Sequence, residues 1–246
     1  MMRHRHSLVP ILILVALSLV ATVSQAAKPV VQSTPLQGTI LNKVVGTPNS
    51  VHTQCLLGVT GDPAWIINGW LLPPDDSYYT LLRPADCACP GPRGVLLSVA
   101  HVLLSFSEVC SVPVTVGVVA ATGTPGCLAP IPGQYLCPPV SYNLSVTATG
   151  IYDFSMPLSE GCCITDNAFL VITFDGEGTC GTLPDVITTD GCETCVSYNG
   201  WPPSSLHDLC VDYNFPGNLN MYVEAACCDV VPAIPGTWGR IKMLYR

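Results

Sequence analysis

Fourteen cysteines dominate the chemistry open to this 246-residue chain: Cys55, Cys87, Cys89, Cys110, Cys127, Cys137, Cys162, Cys163, Cys180, Cys192, Cys195, Cys210, Cys227 and Cys228. A thiol can serve as a nucleophile, a redox centre, a metal ligand or half of a disulfide, and spacing separates these roles. Cys192-Glu-Thr-Cys195 has the C-x-x-C spacing. A redox pair of that kind opens a helix within a βαβ unit. Here Asp190-Gly191 precedes it and Val196-Ser-Tyr198 follows, a turn running into a strand. Structural zinc needs regularly paired ligands, and Cys87-x-Cys89, Cys162-Cys163 and Cys192-x-x-Cys195 are irregular. An even cysteine count behind an export signal reads as a disulfide framework. Neighbouring cysteines bond each other only under strain, so Cys162 and Cys163 should have different partners, and so should Cys227 and Cys228. Adjacent strand residues face opposite ways, which lets one of each pair bond inside the fold and the other outside. Cys127 and Cys137 flank the Pro/Gly-rich residues 128–136. They are the expected local bridge, worth about 2–3 kcal/mol.

The other reactive types are sparse. Beyond the leader only His52, His101 and His207 remain. His101 lies within the apolar run Val95 to Phe106 and reads as a half-buried core histidine with a backbone partner. His207 and Asp208 are adjacent, so on a strand they would diverge. There is no G-x-S-x-G elbow and no H-E-x-x-H helix. No catalytic residue and no cofactor is therefore nominated, and a secreted hydrolase ranks third among the readings. Acids gather at expected turns: Asp75-Asp76, Asp166, Asp175 with Glu177, Asp185, Asp190 and Glu193. Calcium is the ion such loop oxygens would take; otherwise they are solvated turn carboxylates. Trp65 and Trp70 bracket Ile66 to Gly69, Tyr78-Tyr79 follow the Asp pair, and Trp201 follows Asn199-Gly200. Rings beside Asn and Asp can grip sugars when exposed, and taken singly they also suit a core. Asn143-Leu-Ser145 fits a glycosylation acceptor.

The elements that would position these groups read as strands. Val112, Val114, Val116 and Val118 alternate with small or polar residues, as do Tyr142 to Ala148, Tyr152 to Leu158 and Leu219 to Ala225. Each is the pattern of a strand with one buried face. Val95 to Phe106 and Ala168 to Phe174 are apolar on both faces and read as central strands. Dense turn formers separate them, among them Pro73-Pro74-Asp75-Asp76, Pro90-Gly91-Pro92 and Pro216-Gly217-Asn218. The cysteine-bearing body shows no amphipathic helix. The expected fold is all-β, an antiparallel β-sandwich or jelly roll stapled by disulfides.

Hydrophobic types make up 49% of the chain and charged residues 11%, with a net charge of −8. That excludes a polyelectrolyte and a generic nucleic-acid binder, which would need a basic face. Residues 1–26 read as a secretory signal peptide: Arg3 and Arg5, an apolar run from Leu8 to Val23 interrupted by Pro10, and small residues before a cut after Ala26. No later run is long enough to span a bilayer. Residues 27–54 form an arm or leader strand and 55–231 the disulfide-rich body. Residues 232–246 are a Pro-tethered tail whose Trp238, Arg240, Ile241, Lys242, Tyr245 and Arg246 suit recognition by a secretion or assembly partner, or else form a last strand.

Trp70-Leu-Leu-Pro-Pro74, Ala85-Asp-Cys87, Thr194-Cys-Val-Ser-Tyr-Asn199, Phe215-Pro-Gly-Asn218 and the Trp238 to Arg246 tail together resemble secreted, cysteine-rich β-sandwich proteins of environmental bacteria. The resemblance covers most of residues 55–246. It implies a fold and an export route, and no activity attaches to it. More loosely the pattern is similar to carbohydrate-binding modules and galactose-binding-like jelly rolls. The leading expectation is a non-enzymatic, secreted or cell-surface structural or adhesive protein, with a surface or matrix protein as partner. The alternative is a carbohydrate-binding module that holds a polysaccharide through Trp65, Trp70, Tyr78, Tyr79 or Trp201.

Overall fold

A computed structural model describes residues 28, 30–36, 41–45 (backbone only), 55–72, 74–90, 93–201 and 205–228. The expected signal peptide and tail lie outside the described residues. The strands are β1 (Gln32–Pro35), β2 (Leu41–Val45), β3 (Cys55–Gly58), β4 (Trp65–Asn68), β5 (Asp76–Leu82), β6 (Gly94–Phe106), β7 (Ser111–Thr124), β8 (Cys127–Ser145), β9 (Gly150–Pro157), β10 (Cys163–Ile164), β11 (Ala168–Phe174), β12 (Asp185–Thr188), β13 (Ser197–Gly200), β14 (His207–Asp208) and β15 (Met221–Cys228). Among the described residues the helical content is one 3-10 turn, Pro84–Asp86, and one α turn, α1 (Leu209–Asp212). Asp208 caps α1 by accepting from Cys210 N and Val211 N.

These strands make two sheets, as an all-β sandwich requires. The six-stranded sheet runs β14-β13-β5-β11-β7-β8. The nine-stranded sheet is organised around β6. One edge of β6 carries β9 and β10 in succession. The other edge forks, with β15 along its first part and β12 along its end. β15 continues to β3, and β12 to β4 and β1. β2 lies parallel to β9. Both β1 and β2 come from the segment ahead of Cys55.

Burial follows the sequence pattern. Val112, Val114, Val116 and Val118 of β7 point inward and are almost fully buried. Each contributes about 1.5–3 kcal/mol of hydrophobic stabilisation. They pack in one inter-sheet core with Leu57, Ile67, Trp70, Tyr78, Leu82, Val102, Leu104, Leu170, Ile172, Phe174, Met221 and Val223. The two-faced runs are indeed central: β6 is flanked on both edges, and β11 lies between β5 and β7. Their second faces join smaller clusters on the outer side of each sheet. One is Tyr79, Leu81, Val119, Phe169, Val171 and Tyr198, and the other Leu103, Ile151 and Ile187.

All 14 cysteines are bridged. The pairs are Cys55–Cys87, Cys89–Cys227, Cys110–Cys180, Cys127–Cys195, Cys137–Cys162, Cys163–Cys228 and Cys192–Cys210. Both vicinal pairs divide between different partners. Cys162 is buried while Cys163 is exposed. The expected Cys127–Cys137 bridge does not form. Residues 128–136 are not a loop that returns on itself but part of β8. Cys127 sits opposite Thr124 of β7 and Cys137 opposite Val118, with irregularities between. Six residues of β7 hold those positions about 20 Å apart, far beyond the reach of a disulfide. Cys192 and Cys195 likewise bond other partners and not each other. The Cys163–Cys228 bridge passes over Gly94, where a Cβ would lie 2.8 Å from Cys163 Sγ and 3.1 Å from Cys228 Sγ.

Candidate functional site

The most unusual chemistry in the fold surrounds Lys28. The turn before β5 ends at Asp75, which takes a left-handed backbone with φ of 67°. The chain thereby enters β5 with Asp76 turned inward, wholly buried. The expectation that Asp75 and Asp76 are both turn carboxylates is thus corrected for Asp76. Next to β5 lies β13, with Asn199 opposite Tyr78 and Gly200 opposite Ser77. Asn199 is also fully buried. Its Nδ2 donates to Asp76 Oδ1 at 2.7 Å and to Ser77 O at 3.0 Å. Asp76 Oδ2 accepts from Leu72 N at 2.8 Å, from Tyr78 Oη at 2.9 Å and from Lys28 Nζ at 2.5 Å.

Lys28 enters this site from the segment ahead of β1, its side chain 1% exposed. Nζ also donates to Trp70 O at 2.8 Å and Tyr78 Oη at 3.3 Å. It lies 5.1 Å from the Trp70 ring centre and 5.4 Å from those of Tyr78 and Trp201. Three rings around an ammonium partly replace its lost hydration. Burial still pushes Lys28 down to about 8, against the pull of Asp76, which favours the charged form. The same burial, together with Asp76, pushes the Tyr78 phenol well above its ordinary value. Two buried atoms here accept or donate nothing among the described residues: Trp70 Nε1 and Asn199 Oδ1.

This packing answers the question of the aromatic residues. Trp70 is fully buried, edge-on to Tyr213 at 4.9 Å and to Phe215 at 5.1 Å. Tyr78 and Tyr79 are buried too. A buried ring has no face to offer a sugar, so these three are core residues. Trp65 and Trp201 are half-buried. Trp65 Nε1 donates to Asp190 Oδ1 at 3.3 Å, and Trp201 faces Lys28. The five rings do not form one exposed platform.

A second polar cluster occupies the outer face of the nine-stranded sheet. His101 of β6 pairs across with Ser155 of β9 and Tyr222 of β15. It is buried, as expected, but its partners are side chains and not the backbone. Nδ1 lies 3.0 Å from Asp153 Oδ1 and 3.3 Å from Ser155 Oγ, and Nε2 lies 3.2 Å from Glu224 Oε1. Tyr222 stacks on the imidazole at 4.4 Å and donates to Asp153 Oδ2 at 2.9 Å. With a carboxylate at each ring nitrogen, both N–H groups of an imidazolium are satisfied. A serine relay needs one nitrogen free for the hydroxyl and the other for the acid. Here Ser155 shares Nδ1 with the closer Asp153, so the geometry is that of an ionic clamp joining three strands.

The remaining acids are dispersed. Asp185 accepts from Gly69 N, Asp190 from Trp65, and Asp175 from Thr115, while Glu193 pairs with Arg83 at the surface. Among the described residues, the group of three or more His, Cys, Asp or Glu side chains close enough to share one ion is Cys87, Cys89 and Cys227. All three sulfurs are already in disulfides. No described helix is long and apolar enough to cross a membrane. The tail residues Trp238, Arg240, Ile241, Lys242, Tyr245 and Arg246 lie outside the described residues.

A family model described as "Domain of unknown function (DUF7451)" matches residues 66–225. The chain belongs to the DUF7451 family. Asp76, Tyr78, His101, Asp153 and Asn199 fall inside the matched region, and Lys28 falls before it. No curated protein and no solved structure matches the chain. Sequence reasoning missed Lys28 altogether. The one available signal was its isolation: it is one of three lysines, and no acid precedes Asp62.

Proposed function

We propose that this DUF7451 protein is a non-enzymatic structural module of the cell exterior, a secreted or surface-bound β-sandwich built to persist outside the cell. The observation that carries this reading is the disulfide framework. Every cysteine is used, and the bridges tie strands, turns and both sheets together. Such a framework forms in oxidising compartments, and it protects a fold from unfolding where no chaperone acts. The two buried polar sites fit the same role, since each joins segments distant in the chain. In this reading Trp238 to Arg246 is the segment that a secretion or assembly partner engages.

The test is fractionation of the native producer with thiols blocked before lysis. The expected result is a protein confined to the medium or the cell surface, with no blockable thiol, and resistant to protease until reduced. Recovery from the cytosol with free thiols would overturn the proposal.

A further inference from the structure

We propose that Lys28 and Asn199 are joined by an intramolecular isopeptide bond, formed by the protein itself with Asp76 as the proton carrier. The placement of the three groups carries this. Asp76 stands between an amine and an amide, with one carboxylate oxygen on Lys28 Nζ at 2.5 Å and the other on Asn199 Nδ2 at 2.7 Å. A base on the nucleophile and an acid on the leaving group is the requirement for amide exchange, and one carboxyl group meets both ends of it. The site is buried, with Lys28 ringed by Trp70, Tyr78 and Trp201. Burial also lowers the cost of deprotonating the amine, which sits at about 8 rather than its ordinary 10.5. Asn199 Oδ1 is buried without a partner among the described residues. The amide thus lacks the hydrogen bond to its oxygen that a resting structural asparagine normally has.

The chemistry balances without any added reagent. Asp76 Oδ2 takes one proton from the Lys28 ammonium. The freed lone pair on Nζ bonds to Asn199 Cγ. Asp76 passes its proton through Oδ1 to Nδ2 and takes the second proton from Nζ. The Cγ–Nδ2 bond then breaks, the carbonyl re-forms and ammonia leaves. Ammonia departs neutral and Asp76 keeps the proton taken from Nζ, so no charge is left in the core. Direct condensation of Lys28 with Asp76 is the rival. Four donors converge on the Asp76 oxygens. That surrounding suits a carboxylate that exchanges protons, not one that loses an oxygen.

Such a bond would act where disulfides do not. The segment ahead of Cys55 contains no cysteine, yet it supplies β1 and β2 and plants Lys28 in the core. A Lys28–Asn199 bond would tie that segment to β13 irreversibly. The inference does not rest on the extracellular reading, because the bond is a property of the folded chain wherever it resides.

The test is the mass of the full chain, purified, fully reduced and denatured, followed by chymotryptic peptide mapping. The expected result is a mass about 17 Da below that of the linear chain, one ammonia, with a branched peptide joining Lys28 to Asn199. Asp76→Ala and Lys28→Arg should restore the linear mass while keeping every cysteine bridged. A reduced wild-type chain at the linear mass would overturn the proposal, whatever the variants do. A deficit of about 18 Da mapped to Lys28 and Asp76, one water, would overturn the assignment to Asn199. A deficit that survives in a folded Asp76→Ala chain would overturn the role of Asp76.

Discussion

The Cys137–Cys162 bridge ties β8 of one sheet to the turn that enters β10 of the other, and its contribution can be worked out. The two cysteines are 25 residues apart. Loop-closure entropy removed from the unfolded chain then stabilises the fold by about 3.5 kcal/mol. Replacing both by alanine deletes the constraint without burying a new hydroxyl at these two buried positions. With a urea slope of about 2 kcal/mol per molar, the unfolding midpoint should fall by about 1.7 M. The assay is equilibrium urea unfolding followed by tryptophan fluorescence, without reductant. Thiol titration in denaturant is the control, and it should find none, because every other cysteine has a partner elsewhere. A loss below about 1 kcal/mol would refute the loop-entropy reasoning. Free thiols in the double variant would refute the pairing itself.

Three further outcomes follow from the packing. Gly178 has φ of 63°, and a Cβ there would lie 1.9 Å from Ser111 O; Gly178→Ala should cost more than about 2 kcal/mol in urea unfolding, whereas Gly176→Ala should stay within about 0.5. His101→Leu strips Asp153 and Glu224 of their shared partner and should cost about 3 kcal/mol, while Ser155→Ala should cost less than about 1; equal losses would sink the ionic-clamp reading. Burial, then Asp208 and Asp212, push the Tyr198 phenol up to about 12. Its folded value exceeds the unfolded value near 10, so its stabilisation is complete below pH 10 and is lost as pH rises through 12. Phenolate absorbance should show Tyr198 ionising late, and Tyr198→Phe should flatten the loss of stability across that range.

The strands were legible where a single force decides them. Val112 to Val118 alternate because one face of β7 meets the core and the other does not. Val95 to Phe106 is apolar on both faces because β6 has neighbours on both edges and apolar clusters on both faces. The disulfide pairs were not legible, because pairing depends on which strands become neighbours, and β8 carries Cys127 to the end of β7 but Cys137 to its middle. Asp76 was masked by its context: Pro73-Pro74-Asp75-Asp76 reads as a solvated turn, and only Asp75 behaves so. Trp70 and Tyr78 beside such acids suggested an exposed sugar site, yet the same residues line a buried one. His101, expected half-buried with a backbone partner, is almost fully buried among side chains. Its carboxylate partners come from β9 and β15, which no local pattern could align with it.

The two ionic sites differ in what their burial requires, and that difference decides which of them invites chemistry. At His101 both ring nitrogens meet carboxylates, and a tyrosine covers the ring. Each ring nitrogen has a carboxylate partner, and the cluster lies on an outer face where Glu224 remains partly exposed. At Lys28 the pair is carried into the core itself, where taking two charges out of water is expensive and an apolar pair of similar volume would often be as stable. A fold that already spends fourteen cysteines on covalent links gains little from one more costly ion pair. It gains more from joining Lys28 to Asn199, because the amide and a protonated Asp76 leave no charge in the core. On this argument the buried Lys28–Asp76 contact is the precursor of a link and not its final form, and the uncharged product is what makes the position of Asn199 beside it intelligible.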